Sequence, residues 1–312
     1  MKHLASLFLL LCVLTACNKR PEISPDTLDG GGLFDASLYQ PASYLVSYAR
    51  PNPTPAEALR PVLIAVHGYS ASTFEWSELR QWAGGRTDFS ISQVLMGGHG
   101  RSYDSFRDAT WRDWQAPVME EYERLERAGY RNISLAGSST GCTVILELLA
   151  RGYFNNRLAP KQILLVDPNV VPSDKLLTLV GVVGPLLGYI EADNTSGEDR
   201  HWYHYRPQET LRELRNLVNI VRTDLQRGFR LPAGAQLKVY KSEQDNTADP
   251  VSAVLVYRGV KTSDGRAVDV RMVRSQLHVF TRLELRKDNV TSQDRDNQRQ
   301  AFEDMALRLT AL

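Results

Sequence analysis

A serine pair flanked by glycines lies between a predicted strand and a predicted helix, and this junction constrains the fold more than any other feature. Residues 132–136 form an apolar, β-rich run, and a helical pattern starts at residue 140. Between them the chain reads Gly137-Ser138-Ser139-Thr140-Gly141. Glycine lacks a β-carbon and allows a sharp turn where other residues would collide. The sequence therefore predicts a strand, a tight turn with a serine at its tip, and a helix.

The rest of the chain alternates short β-rich runs with helical patterns. The β-rich runs cover residues 44–49, 61–66, 90–96, 132–136, 162–166, 237–240 and 268–273. The helical patterns cover residues 111–128, 140–151, 250–257 and 296–309. Such alternation is typical of a largely parallel sheet covered by helices. We therefore expect an α/β fold with a mostly parallel central sheet and flanking helices.

One interval, residues 169–232, breaks this alternation because it contains helix-like sequence and loops but no good strand. It lies between the predicted strands at residues 162–166 and 237–240. Open α/β sheets bind their ligands at the carboxyl edge of the strands. The sequence therefore predicts a helical cap over that edge, inserted into an α/β core of residues 41–168 and 233–312.

The N-terminal segment has the features of an export signal. A short basic start leads into an apolar run at residues 4–13, which is too short to span a bilayer. The Ala16-Cys17 pair that follows resembles the lipobox of bacterial lipoproteins, in which the cysteine is lipidated. We expect a signal peptide at residues 1–16 and a lipid-anchored tether at residues 17–40, at the bacterial cell envelope, of which the outer membrane is one possibility. An ordinary secretory signal is the alternative.

Several classes of ligand are disfavoured by composition and spacing. The chain has 37 Lys and Arg against 36 Asp and Glu, so it generates no strong attraction for nucleic acid. His201 and His204 lack a third metal ligand at suitable spacing. The glycines at residues 30–32 follow no predicted strand, as a phosphate-binding loop would require. The sequence predicts no metal, no cofactor and no nucleic-acid partner.

The strand, serine turn and helix resemble the nucleophile elbow of the α/β-hydrolase superfamily, with Ser139 as the nucleophile. A serine hydroxyl needs a neighbouring base to react. The resemblance implies the chain order serine, acid, histidine. Of the histidines downstream of Ser139, His201 and His204 lie in the predicted cap. His278 follows the last predicted strand and is therefore the expected base.

The acid that orients the histidine has three candidates. Asp245 follows the predicted strand at residues 237–240, in a stretch that resembles the superfamily's G-x-x-D-x-x-V-x-P segment. The stretch departs from that segment, with Ser242 for the glycine and Ala248 for the valine. Asp245 is the expected acid. Asp249, before a proline, and Asp167, after an earlier strand, remain alternatives.

An oxyanion hole needs two backbone donors. The resemblance implies that the amide of Thr140, after the nucleophile, is one of them. Tyr69 is expected to supply the other, because His67-Gly68 after the strand at residues 61–66 matches the superfamily's oxyanion loop. His67 itself is expected to be structural.

A further segment resembles one branch of the superfamily. Residues 97–102 read Gly-Gly-His-Gly-Arg-Ser and are similar to the G-H-G-x-S segment of the monoacylglycerol lipase and serine aminopeptidase branch. The elbow of that branch has histidine where this chain has Ser138, and glycine where it has Cys142. Cys142, at the start of a predicted helix, is expected to be buried and structural.

These features together predict a serine hydrolase that cleaves carboxylic esters through an acyl-enzyme on Ser139. The apolar run at residues 176–187 favours a substrate with a hydrophobic acyl part, such as a lipid ester. A peptidase or amidase with the same triad is one alternative, and it would hold its substrate amine with acidic cap residues: Glu191, Asp193, Glu198 and Asp199. A surface lipoprotein that uses this fold without catalysis is the other.

Overall fold

Six parallel strands and one antiparallel edge strand form the central sheet of the protein, a computed structural model that describes residues 20–30, 45–47, 52–173 and 188–311. The strands, including four short ones outside this sheet, are β1 (Leu45–Ser47), β2 (Val62–Val66), β3 (Ser90–Val94), β4 (Ile133–Ser138), β5 (Gln162–Val166), β6 (Tyr189–Glu191), β7 (Tyr205–Pro207), β8 (Phe229–Arg230), β9 (Gln236–Ser242), β10 (Val260–Lys261) and β11 (Asp269–Val273). The order in the sheet is β1-β3-β2-β4-β5-β9-β11, and β1 is antiparallel to β3. All seven predicted strands are present in it, so the predicted α/β class is confirmed.

The central strands read as continuous apolar runs because both of their faces are covered. Every residue of β2, β4 and β5 is buried, which is typical of the middle of a parallel sheet. In the register of β2 and β4, Val66 lies opposite Gly137, where β4 leads into the serine turn. The turn is thereby placed at the carboxyl edge of the sheet.

Helices cover the sheet on both sides. They are α1 (Pro55–Ala58), α2 (Ser77–Trp82), α3 (Tyr103–Asp108), α4 (Trp111–Arg127), α5 (Thr140–Ala150), α6 (Gln208–Arg227), α7 (Val251–Gly259) and α8 (Ser292–Thr310). One hydrophobic cluster joins the sheet to α4, α5, α6 and α7, and a second joins its other face to α2 and α8. The four predicted helices correspond to α4, α5, α7 and α8 and are confirmed.

The interval predicted as a helical cap is divided in the structure. Its strands β6 and β7 pair antiparallel, and they were not expected because three-residue strands are too short to show an alternating pattern. Helix α6 buries Leu214, Leu217 and Val221 in the main hydrophobic cluster, packed against α5 and α7. Its apolar stripe packs it against the α/β core, while Leu211 and Leu214 of the same helix line a cavity. The apolar run at residues 176–187 lies outside the described residues.

The segment predicted as a tether is folded where the structure describes it. Leu28 is fully buried and packs in a cluster with Phe106 and Tyr203. The Asp29 carboxylate accepts a hydrogen bond from the His204 amide at 2.8 Å. Residues 20–30 are therefore docked on the domain, where the buried Leu28 side chain and the hydrogen bond of Asp29 hold them. Cys17 and the predicted signal peptide lie outside the described residues, and no helix among the described residues is long and apolar enough to cross a membrane.

Candidate active site

Ser139 occupies a strained turn between β4 and α5. Its backbone has φ 50° and ψ −115°, a conformation that side-chain-bearing residues rarely adopt. The neighbouring glycines allow it: a Cβ on Gly137 would lie 2.7 Å from the Cys142 nitrogen, and one on Gly141 would lie 2.3 Å from the Val66 oxygen. The predicted strand, tight turn and helix are thus present at this serine.

The structure brings Ser139, His278 and Asp245 into one line of hydrogen bonds. The Asp245 Oδ2 atom lies 2.8 Å from His278 Nδ1, and His278 Nε2 lies 2.8 Å from Ser139 Oγ. Since a carboxylate only accepts, the imidazole carries its proton on Nδ1 and leaves Nε2 free to accept from the serine hydroxyl. This geometry can remove the serine proton and hold the resulting imidazolium.

The three candidate acids occupy different sites. Asp245 contacts His278, and its Oδ1 atom also accepts from the Thr247 and Ala248 amides at 2.8 and 3.0 Å. Asp249 accepts from the amide of Val251, the first residue of α7, at 2.8 Å. Asp167 lies behind Asp245, fully buried. The strand ends alone left all three open, and of the three Asp245 is the one that contacts the imidazole.

Lys241 lies between the two buried aspartates and was not expected from the sequence. Its side chain is fully buried, and its Nζ atom lies 2.5 Å from Asp245 Oδ2 and 3.0 Å from Asp167 Oδ1. Burial alone raises the pKa of Asp245, but the charges and hydrogen bonds of His278 and Lys241 outweigh it and hold the pKa below its ordinary value. Asp245 is therefore ionised at neutral pH.

The loop after β2 lies beside Ser139. A Cβ on Gly68 would lie 3.1 Å from the Ser139 Cβ atom, so the absence of a side chain at Gly68 lets the loop come close to the serine, and the Tyr69 amide follows directly in the chain. His67 holds this loop by accepting from the Met96 amide at 3.0 Å and donating to the Gly68 carbonyl at 2.8 Å. Burial lowers the pKa of His67 to about 4, so it is neutral and structural, as expected.

Comparison with known proteins shows which proteins this chain is similar to. No protein-family model matches the chain. It is 23% identical over 220 residues to a thermostable monoacylglycerol lipase of Bacillus sp. (strain H-257), covering 70% of this chain and 83% of that protein. It is 24% identical over 207 residues to a carboxylesterase of Bacillus subtilis (strain 168), covering 65% and 79%.

Solved structures extend the similarity to the whole core. A soluble variant of the Saccharomyces cerevisiae monoglyceride lipase superposes with a TM-score of 0.63 at 12% identity, covering 86% of this chain and 91% of that one. The Paleococcus ferrophilus monoacylglycerol lipase superposes with a TM-score of 0.59 at 13% identity, covering 80% and 96%. The chain has the α/β-hydrolase fold. Ser139 lies in the turn between β4 and α5, and the loops after β9 and β11 carry Asp245 and His278.

Two residues distinguish the serine turn of this chain from the elbow of the branch that its sequence resembles. Ser138, in place of the usual histidine, donates its hydroxyl to the buried Glu75 carboxylate. Glu75 also accepts from the Gly68 amide at 2.7 Å and so ties the elbow to the oxyanion loop. Cys142, in place of the usual glycine, donates its thiol to the Gly137 carbonyl at 3.0 Å and is fully buried. Burial raises the pKa of the Cys142 thiol, which makes it unreactive.

The loop between β11 and α8, called the histidine loop because it carries His278, is held by an arginine that the sequence did not indicate. Arg286 donates to the carbonyls of His278 and Val279, and to the Arg282 carbonyl at 2.5 Å. Val279 has φ 53°, so the loop directly after the base is itself strained. The sequence signal was too weak to find this contact, since Arg286 lies in a run of mixed charge.

A cavity of about 540 Å³ opens above Ser139 and His278. Its walls come from the oxyanion loop, β6, β7, α6 and the histidine loop, and include Ile190, Trp202, Leu211 and Leu214 as well as several charged side chains.

The two cap histidines are used for packing and pairing. His201 stacks on Phe74 with ring centroids 3.9 Å apart, and His204 Nδ1 lies 3.0 Å from Asp199 Oδ1. Among the described residues, no group of three or more His, Cys, Asp or Glu side chains could hold a metal ion.

Proposed function

We propose that the protein is a serine hydrolase that cleaves carboxylic esters through an acyl-enzyme on Ser139. The observation that carries this proposal is the unbroken contact of Ser139 with His278 and of His278 with Asp245, beside a cavity that can admit a substrate. The lipase and esterase names of its relatives support ester chemistry.

The mechanism follows from the direction of the hydrogen bonds. His278 Nε2 takes the Ser139 proton while Oγ attacks the acyl carbon, and the Asp245 carboxylate stabilises the imidazolium. The amides of Tyr69 and Thr140 are assigned to the oxyanion. His278 then gives its proton to the departing alcohol, and a water activated in the same way releases the acid and restores the serine.

The acidic residues that an aminopeptidase would use are already engaged. Glu198 pairs with Arg282 at 3.0 Å, Asp199 contacts His204 at 3.0 Å, and Asp193 pairs with Lys287. Of the four candidates, Glu191 alone has no such contact within the described part of the chain, and it is exposed. This arrangement favours an ester over a substrate with a free amine. A lipid ester fits the names of the monoacylglycerol lipase relatives.

Labelling with a fluorophosphonate probe tests the proposal. We expect a stoichiometric adduct on the peptide that contains Ser139 in folded protein, and none in Ser139→Ala or after denaturation. Turnover of p-nitrophenyl esters should exceed that of aminoacyl anilides by orders of magnitude. Folded wild-type protein without an adduct would remove the proposal, and a preference for anilides would redirect it to the peptidase alternative.

We also propose that Cys17 carries a lipid that anchors the protein to the bacterial envelope, on the basis of its position after the apolar segment and a small residue. Radiolabelled palmitate should be incorporated into the wild-type protein and not into Cys17→Ala, which should leave the membrane fraction. Equal membrane recovery of both proteins would contradict this anchor.

A further inference from the structure

Arg206 is an arginine of the catalytic cavity with no partner among the described residues. It lies in the middle of β7 and lines the cavity together with Ser139, His278 and Tyr69. Its Nε–H group is buried and donates to no acceptor in the described chain. Burial lowers the pKa of Arg206, but an arginine remains protonated at neutral pH. The cavity wall therefore holds a fixed positive charge whose hydrogen bonds are unused.

The other two cavity arginines are occupied by the protein. Arg282 pairs with Glu198 at 3.0 Å, and its guanidinium lies 4.3 Å from the centre of the Trp202 ring. Arg286 donates to three backbone carbonyls of the histidine loop and lies 3.4 Å from Asp288. Arg282 and Arg286 are therefore engaged by groups of the protein itself, whereas the Arg206 side chain has no hydrogen bond or ion pair within the described residues.

The acid of the β6–β7 strand pair, Glu191, lies on the other face of the pair from Arg206. In the register of β6 and β7, Arg206 lies opposite Ile190, and Glu191 lies opposite Tyr205. Directly opposed residues share a face and successive residues alternate, so Glu191 and Arg206 leave the pair on opposite faces. Ile190, Glu191 and Arg206 all line the cavity, but Arg206 shares its face of the pair with the apolar Ile190 and not with the carboxylate.

We propose that Arg206 binds an anionic group of the substrate, a carboxylate or a phosphate, so that the natural ester carries a negative charge in addition to its apolar part. The inference rests on the proposed ester hydrolase function and narrows its substrate class. Arg206 is half-buried, and its buried Nε–H group without an acceptor is costly. A planar pair of anionic oxygens satisfies a guanidinium with two parallel hydrogen bonds. Neutral and anionic esters should therefore differ in their binding to one defined residue, Arg206.

The test compares esters that are matched except for their charge. Monomethyl suberate against methyl octanoate places a carboxylate at the end of the acyl part. Octanoylglycerol 3-phosphate against octanoylglycerol places a phosphate on the alcohol part. We expect the wild-type protein to show a kcat/KM at least about tenfold higher for the anionic member of one pair, the ratio that one charge-assisted hydrogen bond provides. The preferred pair identifies which part of the ester faces Arg206.

Variants assign the preference to this side chain. Arg206→Gln should lower kcat/KM for the preferred anionic ester by roughly ten- to hundredfold and that for its neutral partner by less than about twofold. Arg206→Lys should retain part of the preference, because it keeps the charge and loses the planar fork. Arg200→Gln is the matched control, since Arg200 is exposed and does not line the cavity. It should leave both substrates unchanged.

The outcomes separate this inference from the proposed function. Hydrolysis of neutral esters and labelling of Ser139, without any preference for the anionic esters, would overturn the role of Arg206 and leave the hydrolase standing. An equal loss on both members of a pair in Arg206→Gln would also overturn it; if that variant does not fold, the same criterion applies to Arg206→Lys. Absence of both labelling and hydrolysis in the wild type would instead remove the proposed function.

Discussion

The buried Lys241 behind Asp245, the proposed catalytic acid, leads to a prediction in which two variants have opposite effects. Asp167, Lys241 and Asp245 are all fully or almost fully buried and together carry one net negative charge beside His278. Lys241→Met leaves two negative charges there, which favours the imidazolium. Asp167→Asn leaves none, which disfavours it. The acid limb of the pH profile of kcat/KM should therefore move to higher pH in Lys241→Met and to lower pH in Asp167→Asn.

The size of the shift follows from the distances. Lys241 Nζ and His278 Nδ1 contact the same Oδ2 atom of Asp245, at 2.5 and 2.8 Å, so they lie less than about 5.5 Å apart. Two unit charges at roughly 5 Å interact by about 3 kcal/mol at an effective dielectric constant of about 20. This corresponds to about two pH units, and water that enters the vacated space reduces it. We expect about one unit for Lys241→Met. Asp167→Asn should give a smaller shift in the opposite direction, because the Asp167 carboxylate contacts Lys241 and not the imidazole.

The assay is a pH–rate series on a p-nitrophenyl ester, with urea unfolding of each variant. Lys241→Met should also lower the free energy of unfolding by about 3–5 kcal/mol, because it leaves a buried carboxylate without its partner. A shift of both acid limbs in the same direction, or of neither, would refute the electrostatic reasoning and reduce Lys241 to a packing element.

Three further predictions concern the elbow, the oxyanion loop and the docked N-terminal segment. Gly141→Ala should lower the free energy of unfolding by about 3 kcal/mol in urea, since its Cβ would meet the Val66 carbonyl, whereas Gly85→Ala, with open space around it, should not. Glu75→Leu should lower kcat at least about tenfold in ester assays, because it leaves the Gly68 amide and the Ser138 hydroxyl unpaired. Glu75→Gln should retain activity, and this difference between the two variants checks the prediction. Burial raises the pKa of Asp29 to about 6, so docking of this segment should weaken as pH rises from about 4 to 6. Asp29→Asn should therefore raise the thermal midpoint of unfolding at pH 7 but not at pH 4. Equal effects at both pH values would contradict this prediction.

Much of the fold could be predicted from local patterns. The central strands are buried on both faces and therefore read as unbroken apolar runs, and the helices carry apolar stripes. The glycines around Ser139 reflect the steric requirement of a tight turn within five residues, so this turn can be predicted without knowing which distant residues contact it. The position of His278 after the last strand is likewise a property of chain order.

The remaining features depend on residues that meet only in the folded chain. Asp167, Asp245 and Asp249 have similar local contexts, and contact with His278 separates them. Short strands such as β6 and β7 form because two segments meet, not because either has a strong pattern of its own.

The serine turn, the α/β class and the position of His278 after the last strand were thus determined by the sequence itself, because each rests on short-range sterics or on the order of elements along the chain. The tertiary structure decided which charged side chains pair with one another. It placed Lys241 between two aspartates and left the Nε–H group of Arg206 without a partner among the described residues. The physical reason is that an ion pair depends on distance in space. A linear sequence of almost balanced charge does not reveal which charges neutralise one another and which one remains for a substrate.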